Sequence, residues 1–277
     1  MTVSFTYPAA DWRLLQTGLA DGATNMAIDE AILWAVAEGE SRPTLRFYGW
    51  QPPCLSIGYS QSMEGQVDVG RCREAGIGLV RRATGGRAIL HTDELTYSVV
   101  APQAEPRVAG GVIESYRRLS AGLVAGLRAL GLAVAQVETA NDKGKSAACF
   151  DAPSNYEITV DDKKLVGSAQ VRKKSVVLQH GSLPLEGDIA RIFDFLKVPS
   201  EERREELKQE LRARATSLEL ALGYGVPFEE VARYLAAGYV HALNLRLIPG
   251  QLSQHELALA EKLRREKYTA REWNFRG

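Results

Sequence analysis

Residues 81–91 read Arg81-Arg82-Ala83-Thr84-Gly85-Gly86-Arg87-Ala88-Ile89-Leu90-His91, with strand-like sequence on either side. A paired arginine, a double glycine and a histidine sit inside that setting. Ile77-Gly78-Leu79-Val80 runs in with buried-strand character and Ala88-Ile89-Leu90 runs out the same way. The stretch therefore predicts a strand, a tight turn at the glycines and a second strand. Gly85-Gly86 also leaves main-chain amides bare for a ligand, with Arg81 and Arg82 as nearby cations and His91 as a hydrogen-bonding group. The same spacing fits a surface hairpin with solvated arginines, because a short glycine-rich stretch is a weak signal.

The rest of the chain supplies the elements around this turn. Apolar residues at helical spacing predict a helix over 24–38, with Thr24 or Asn25 as its cap and one side on the core. Residues 44–50 and 55–58 read as strands around Pro52-Pro53, 67–75 as a short helix, and 95–100 as a strand ended by Pro102. A helix over 111–130 carries a broad apolar stripe. Residues 141–153 have no period and read as a loop holding Cys149. Residues 156–160 and 164–169 form a hairpin around Asp161-Asp162, and 176–180 add a strand. Beyond these, 200–213 is an exposed helix, 228–243 and 253–267 are helices, and 244–248 is a strand. Strands joined by hairpins with helices against one face make an α+β protein rather than an alternating α/β one. With no repeat and no linker, the simplest organisation is one domain over 1–277 with a helical C-terminal third from about 188 and no separate accessory domain.

Charge narrows the partners. The 34 basic and 34 acidic residues cancel, so no global field favours nucleic acid or an anionic membrane, and any charged partner must meet a local patch. No apolar run reaches membrane-spanning length and no export signal opens the chain, so the expected location is the cytoplasm. The three cysteines, Cys54, Cys72 and Cys149, form no C-x-x-C pair and read as free thiols. Cys149, between small residues and Phe150, is the candidate nucleophile, since a thiolate accepts an acyl group from another thioester at nearly even energy. A buried, inert thiol is the competing reading. Cys54 and Cys72 have no partner groups and read as structural.

Several stretches in order are shared with one family. The 81–91 stretch resembles the R-R-x-[ST]-G-G-x-A-x-x-H signature of the biotin/lipoate protein ligase and lipoyl-transferase superfamily. The likeness extends to Asn25-Met26-Ala27-Ile28-Asp29-Glu30, Ser56-Ile57-Gly58-Tyr59-Ser60-Gln61, Lys164-Leu165-Val166-Gly167-Ser168-Ala169-Gln170 and Glu272-Trp273-Asn274-Phe275. It implies the mixed, largely antiparallel sheet of the biotin/lipoate-ligase catalytic domain, with helices packed against it. Cys149, in Cys-Phe-Asp-Ala-Pro-Ser-Asn-Tyr-Glu, is similar to the nucleophile of the cysteine-dependent octanoyltransferases of lipoyl assembly. Lys164 matches the active-site lysine of K-x-x-G-S-A, although alone it reads as a solvated turn residue. Such a lysine against an apolar slot could take the proton of the thiol and later that of an acceptor lysine, whose ordinary pKa is about 10.4.

The resemblance implies substrate contacts at Arg81, Thr84, Gly85, Gly86, Arg87, His91, Gly167, Ser168 and Ala169. Strand alternation sets Lys164, Val166 and Ser168 on one face, toward a pocket. His180-Gly181-Ser182-Leu183 reads as structural. An octanoyl chain needs an apolar slot, where six buried methylenes contribute on the order of 5 kcal/mol. Tyr59, Leu79, Leu90, Val166 and Ala169 are the expected lining.

Two departures separate this chain from the ATP-dependent ligases it resembles. Arg87 stands where they usually have a third glycine, and Thr92-Asp93-Glu94-Leu95 replaces Asp-x-Gly-Asn after the histidine. The implied activity is transfer of octanoyl from octanoyl-acyl carrier protein through Cys149 to a lysine of a lipoyl-domain protein, the glycine cleavage H protein. No metal or cofactor is called for. Arg172-Lys173-Lys174, Lys143 and Lys145 are candidate contacts for an acidic carrier. An ATP-dependent lipoate ligase, a lipoyl-domain amidotransferase and a non-catalytic carrier-binding protein remain as alternatives.

Overall fold

The computed structural model describes residues 7–138 and 156–276. Its strands are β1 (Ala10–Ala20), β2 (Thr44–Trp50), β3 (Cys54–Ile57), β4 (Gly78–Arg81), β5 (Ile89–His91), β6 (Glu94–Pro102), β7 (Ala135–Glu138), β8 (Tyr156–Val160), β9 (Lys163–Lys173), β10 (Val176–Pro184) and β11 (Leu245–Pro249). Its helices are α1 (Gly22–Ala37), α2 (Met63–Gln66), α3 (Val69–Glu74), α4 (Val112–Ala129), α5 (Glu201–Arg214), α6 (Leu218–Leu222), α7 (Phe228–Leu243), α8 (Gln254–Leu263) and α9 (Arg271–Asn274).

The large sheet runs β11-β1-β2-β6-β10-β9-β8-β7. Only β11–β1 and β1–β2 are parallel among its pairings, so the sheet is mixed and largely antiparallel, as expected. Asp161-Asp162 and Lys174-Ser175 make two-residue turns at positive φ, the primed geometry whose twist suits a hairpin.

Helices cover both faces of the sheet, not the single face expected from sequence, because both sides of its central strands are apolar. On one side Phe47 and Tyr97 pack against Leu119 and Leu123 of α4 and Leu235 and Tyr239 of α7. These helices touch closely because Gly122, Gly126 and Gly238 leave no Cβ between them. On the other side Tyr48, Val100 and Leu178 meet Met26 and Ile32 of α1, with Ala260 of α8 beyond. Sandwiched in this way, α1 is buried nearly all round rather than along one side. Its N-cap is Asp21, which accepts from Thr24 N at 2.8 Å, a few residues earlier than its sequence suggests. α5, capped by Ser200, is exposed except around Arg204 and Leu211.

The signature stretch is not a tight hairpin. β4 and β5 lie on opposite sides of β3, β4 parallel and β5 antiparallel to it. The chain does reverse, but residues 82–88 cross over the end of β3 to do so. The physical reason is that Cys54, Leu55 and Ser56 already occupy the middle of this small sheet, pairing with both neighbours.

Candidate active site

The crossing loop is built from inside. Gly58 lies directly beneath it, where a Cβ would overlap the carbonyl of Gly86. Gly86 has φ +93°, a conformation that favours glycine, and both Gly85 and Gly86 are exposed. Tyr59 N donates to Thr84 O at 2.8 Å. Arg82, buried, pegs the loop: its guanidinium donates to Ser56 Oγ at 2.6 Å, to Gly85 O at 3.2 Å and to Arg87 O at 2.9 Å. Arg87 itself is half-buried.

Two chains of carboxylate, imidazole and hydroxyl hold this loop to the large sheet. In the first, His91 Nδ1 lies 2.7 Å from Glu94 Oε1 and Nε2 lies 2.6 Å from Ser56 Oγ. A carboxylate only accepts, so Nδ1 carries the hydrogen; Ser56 accepts from Arg82 and donates to Nε2. Thr96 and Ser182 also donate to Glu94, and Trp50 stacks on the His91 ring at 3.8 Å. Burial alone would raise the Glu94 carboxyl, but His91 and these hydroxyls hold it below the ordinary value.

In the second chain His180 Nδ1 lies 3.1 Å from Asp29 Oδ2 and Nε2 lies 2.7 Å from Thr84 Oγ1. Asp29 also accepts from Arg46 at 2.7 Å, Ser98 at 2.8 Å and Tyr48 at 2.9 Å. Burial works against the Asp29 carboxylate, yet Arg46 and these donors keep it below its ordinary value. The His180 imidazole is lowered by burial, helped by Arg82 and His91, despite Asp29. His180, read from sequence as structural only, thus borders the site and grips Thr84. The signal that would have revealed it is Asp29, a buried-helix carboxylate that needs a polar partner.

Both histidines border a narrow open cleft, shared with Met26, Trp50, Ile89 and Ala169. Its walls are mostly apolar. Among the residues expected to line an acyl slot, Ala169 alone does so within the described residues.

The strand-face expectation for β9 is overturned. Gly167 and Ala169 pair with Ser182 and His180 and share their face. The Ser168 hydroxyl instead passes behind the sheet to Tyr97 Oη at 2.8 Å. Lys164 pairs with Thr159 and Val166 with Ile158, so Leu165 is an extra residue. This bulge shifts the parity and brings Lys164 to the same face as Gly167 and Ala169. Lys164 is buried and ion-paired with Glu157 at 2.8 Å, so the neighbour of its ammonium is a carboxylate and not only an apolar wall.

Arg81 does not border the cleft, and its guanidinium is taken up by main-chain carbonyls. It donates to the carbonyls of Tyr59 at 2.7 Å and Gln61 at 2.6 Å, and to those of Trp273 at 2.9 Å and Arg276 at 2.8 Å. Its observed part is to hold the chain's C-terminal segment. Cys54 and Cys72 are buried; burial raises both thiols, Cys72 to about 11 with Asp68 adding to it. Cys149, Lys143 and Lys145 lie outside the described residues, as does the expected 141–153 loop. Among the described residues one group could ligate a metal, the exposed Glu38, Glu40 and His255, and it does not border the cleft. No helix among them is long and apolar enough to cross a membrane.

Residues 21–240 match the lipoyl protein ligase A/B catalytic domain. The chain belongs to this family. Curated relatives within it are named octanoyltransferase LipM: that of Kyrpidia tusciae is 48% identical over 96% of this chain and 98% of its own. That of Bacillus subtilis is 39% identical over 96% and 98%. The chain is an acyltransferase. Among solved structures, the bi-partite lipoate protein ligase of Thermoplasma acidophilum superposes with TM-score 0.81 at 28% identity, covering 96% of both chains. A lipoate-protein ligase A bound with ATP gives 0.78 at 28% identity, covering 97% of this chain and 99% of that one. Asp29, His91 and His180 all fall within the span that matches the lipoyl protein ligase A/B family.

Proposed function

We propose that this protein is an octanoyltransferase of protein lipoylation working through a thioester on Cys149. The Cys149 thiol gives its proton to Lys164 in its free-amine form, and the thiolate attacks the octanoyl carbonyl of octanoyl-acyl carrier protein: the Cys149 Sγ–acyl bond forms, the bond between the octanoyl carbon and the carrier sulfur breaks, and that sulfur leaves as a thiol with the proton returned by Lys164. The lysine of a lipoyl-domain protein, the glycine cleavage H protein, then attacks the enzyme thioester. The acceptor ammonium first loses its proton to Lys164 in its free-amine form; the amide then forms, and Cys149 Sγ leaves and is reprotonated to the thiol by the amine's second proton. Thr84, Gly85, Gly86, Arg87, His91, Gly167 and Ala169 would border the acyl group and its carrier arm.

The observation that carries this reading is that relatives covering almost the whole chain at 39–48% identity bear the octanoyltransferase name. The mostly apolar cleft beside the two-glycine loop agrees with an acyl guest. A second reading, ATP-dependent lipoate ligation, is favoured by the solved structures, which are lipoate ligases. Intact mass after incubation with octanoyl-acyl carrier protein and no ATP separates the two. One hydroxylamine-sensitive octanoyl group, absent from Cys149→Ala, is the expected outcome. No gain with a competent donor would sink the thioester route and favour the ligase.

A further inference from the structure

A line of contacts runs from the β9–β10 turn to the signature loop. Lys173 and Lys174 lie over the Trp34 ring at 5.0 and 5.4 Å. Lys173 and Lys267 share the buried carboxylate of Glu30 at 3.0 and 2.5 Å. Lys267 lies 4.0 Å from the Trp273 ring, and so does Arg276. Arg276 also covers Tyr59 at 3.7 Å, and Tyr59 N is bonded to Thr84 O in the loop. Cations alternate with aromatic seats along the whole line, and it ends beside Gly85-Gly86.

Charge on this ridge is under-compensated. Among the described residues neither Lys174 nor Arg276 forms an ion pair, and both sit on rings instead. Burial, with Lys173 and Arg276 close by, pulls the Lys267 ammonium below its ordinary value in spite of Glu30. The turn carrying Lys174 is also strained, since Lys174 and Ser175 hold φ +54° and +58° where asparagine or glycine would be easy. Lys173 and Lys174, exposed and side by side at this turn, present two ammonium groups to a partner.

We infer that the ridge of Lys173, Lys174, Lys267 and Arg276 is the docking surface for an acidic carrier protein, which it sets with its acyl arm toward the Gly85-Gly86 loop. This rests on the reading that the acyl donor is carrier-bound. Nucleic acid is disfavoured because the ring faces are covered by the protein's own cations rather than open for base stacking, and the chain as a whole has no net charge.

The test compares wild type, Lys174→Glu, Arg276→Glu and the double variant, with octanoyl-acyl carrier protein or the carrier-free thioester octanoyl-pantetheine as donor. With the carrier, kcat/KM of the double variant should fall about tenfold or more at low salt, through KM, and its salt dependence should flatten. With octanoyl-pantetheine it should stay within about twofold. Equal losses with both donors, no loss with the carrier, or a loss that appears only in the KM of the acceptor would each overturn the inference. Lys174→Glu lies in an exposed turn and keeps the test open if the Arg276 variant folds poorly. Should wild type use neither thioester, the proposed function fails separately, and titration with fluorescent apo-acyl carrier protein decides the ridge. Binding lost in Lys174→Glu supports it; no binding, or tighter binding of an oligonucleotide, overturns it.

Discussion

The imidazole of His180 is held between an acceptor-only carboxylate and the hydroxyl of Thr84, in a nearly buried position. Proton uptake there would leave Nε2 with a hydrogen facing a hydroxyl and a charge beside Arg82. Burial, with Arg82 and His91, accordingly holds it below the ordinary value of 6.5. In the unfolded chain the same residue takes its proton near 6.5. The unfolded state therefore binds more protons as pH drops, and stability must rise with pH across that interval. The contribution is whole above about 6.5 and is lost below it, with a slope of at most about 1.4 kcal/mol per pH unit. Asp29 and Glu94, lowered from 3.8 and 4.5, act in the same direction but only at more acid pH. Urea midpoints at pH 8, 6.5 and 5 should fall toward acid, and His180→Gln should flatten the fall between the last two. An unchanged slope in that variant would remove His180 as the source.

Among the elements, the crossing loop depends on one backbone contact more than on any side chain. Alanine at Gly58 would push a Cβ into Gly86 O, main chain against main chain, so the loop must lift. Gly58→Ala should cost about 1–3 kcal/mol and lower transfer activity at least tenfold, whereas Gly85→Ala, with open space around it, should leave stability unchanged. Melting curves and kcat/KM for both variants check this; similar effects at the two positions would refute it. This dependence explains what the sequence could and could not disclose. Local period and turn residues were enough for α4, α7, the β8–β9 hairpin and the α+β class, since each rests on neighbours in the chain. The double glycine correctly marked a reversal. It could not show that β3 lies between the two arms, because that pairing is between residues more than twenty positions apart. The Leu165 bulge was likewise invisible: alternation assumes an unbroken ladder, and a single extra residue moved Lys164 to the Gly167 face and left Ser168 behind the sheet. β1 escaped notice altogether, its eleven residues mixing polar and apolar positions around a bend at Gly18.

At the scale of the whole molecule, Arg81 joins three distant stretches. Its main chain bonds Asn274 Oδ1 at 2.7 Å through N and accepts from Trp273 Nε1 at 2.9 Å through O. Its guanidinium fans over the 58–61 turn on one side and carbonyls of 273–276 on the other. The C-terminal segment is thereby fastened beneath the loop that carries Thr84, so two of the stretches that carry the family resemblance are in direct contact. Replacing Arg81 by Met strips several buried carbonyls of their donor at once and should cost about 2–4 kcal/mol. Lysine should rescue little of this, because one ammonium cannot span both sides as a planar guanidinium does. Trp273 should become more accessible to quencher, and protease should nick the C-terminal segment before global unfolding. A residue that instead contacted substrate would give the opposite pattern: unchanged urea midpoints and Trp273 accessibility, with KM raised. Measuring the midpoint and KM on the same Arg81→Met preparation therefore separates a clamp on the fold from a ligand contact. Because the clamp also anchors Arg276 beside Tyr59, its loss should weaken use of a carrier-bound donor more than use of a free thioester.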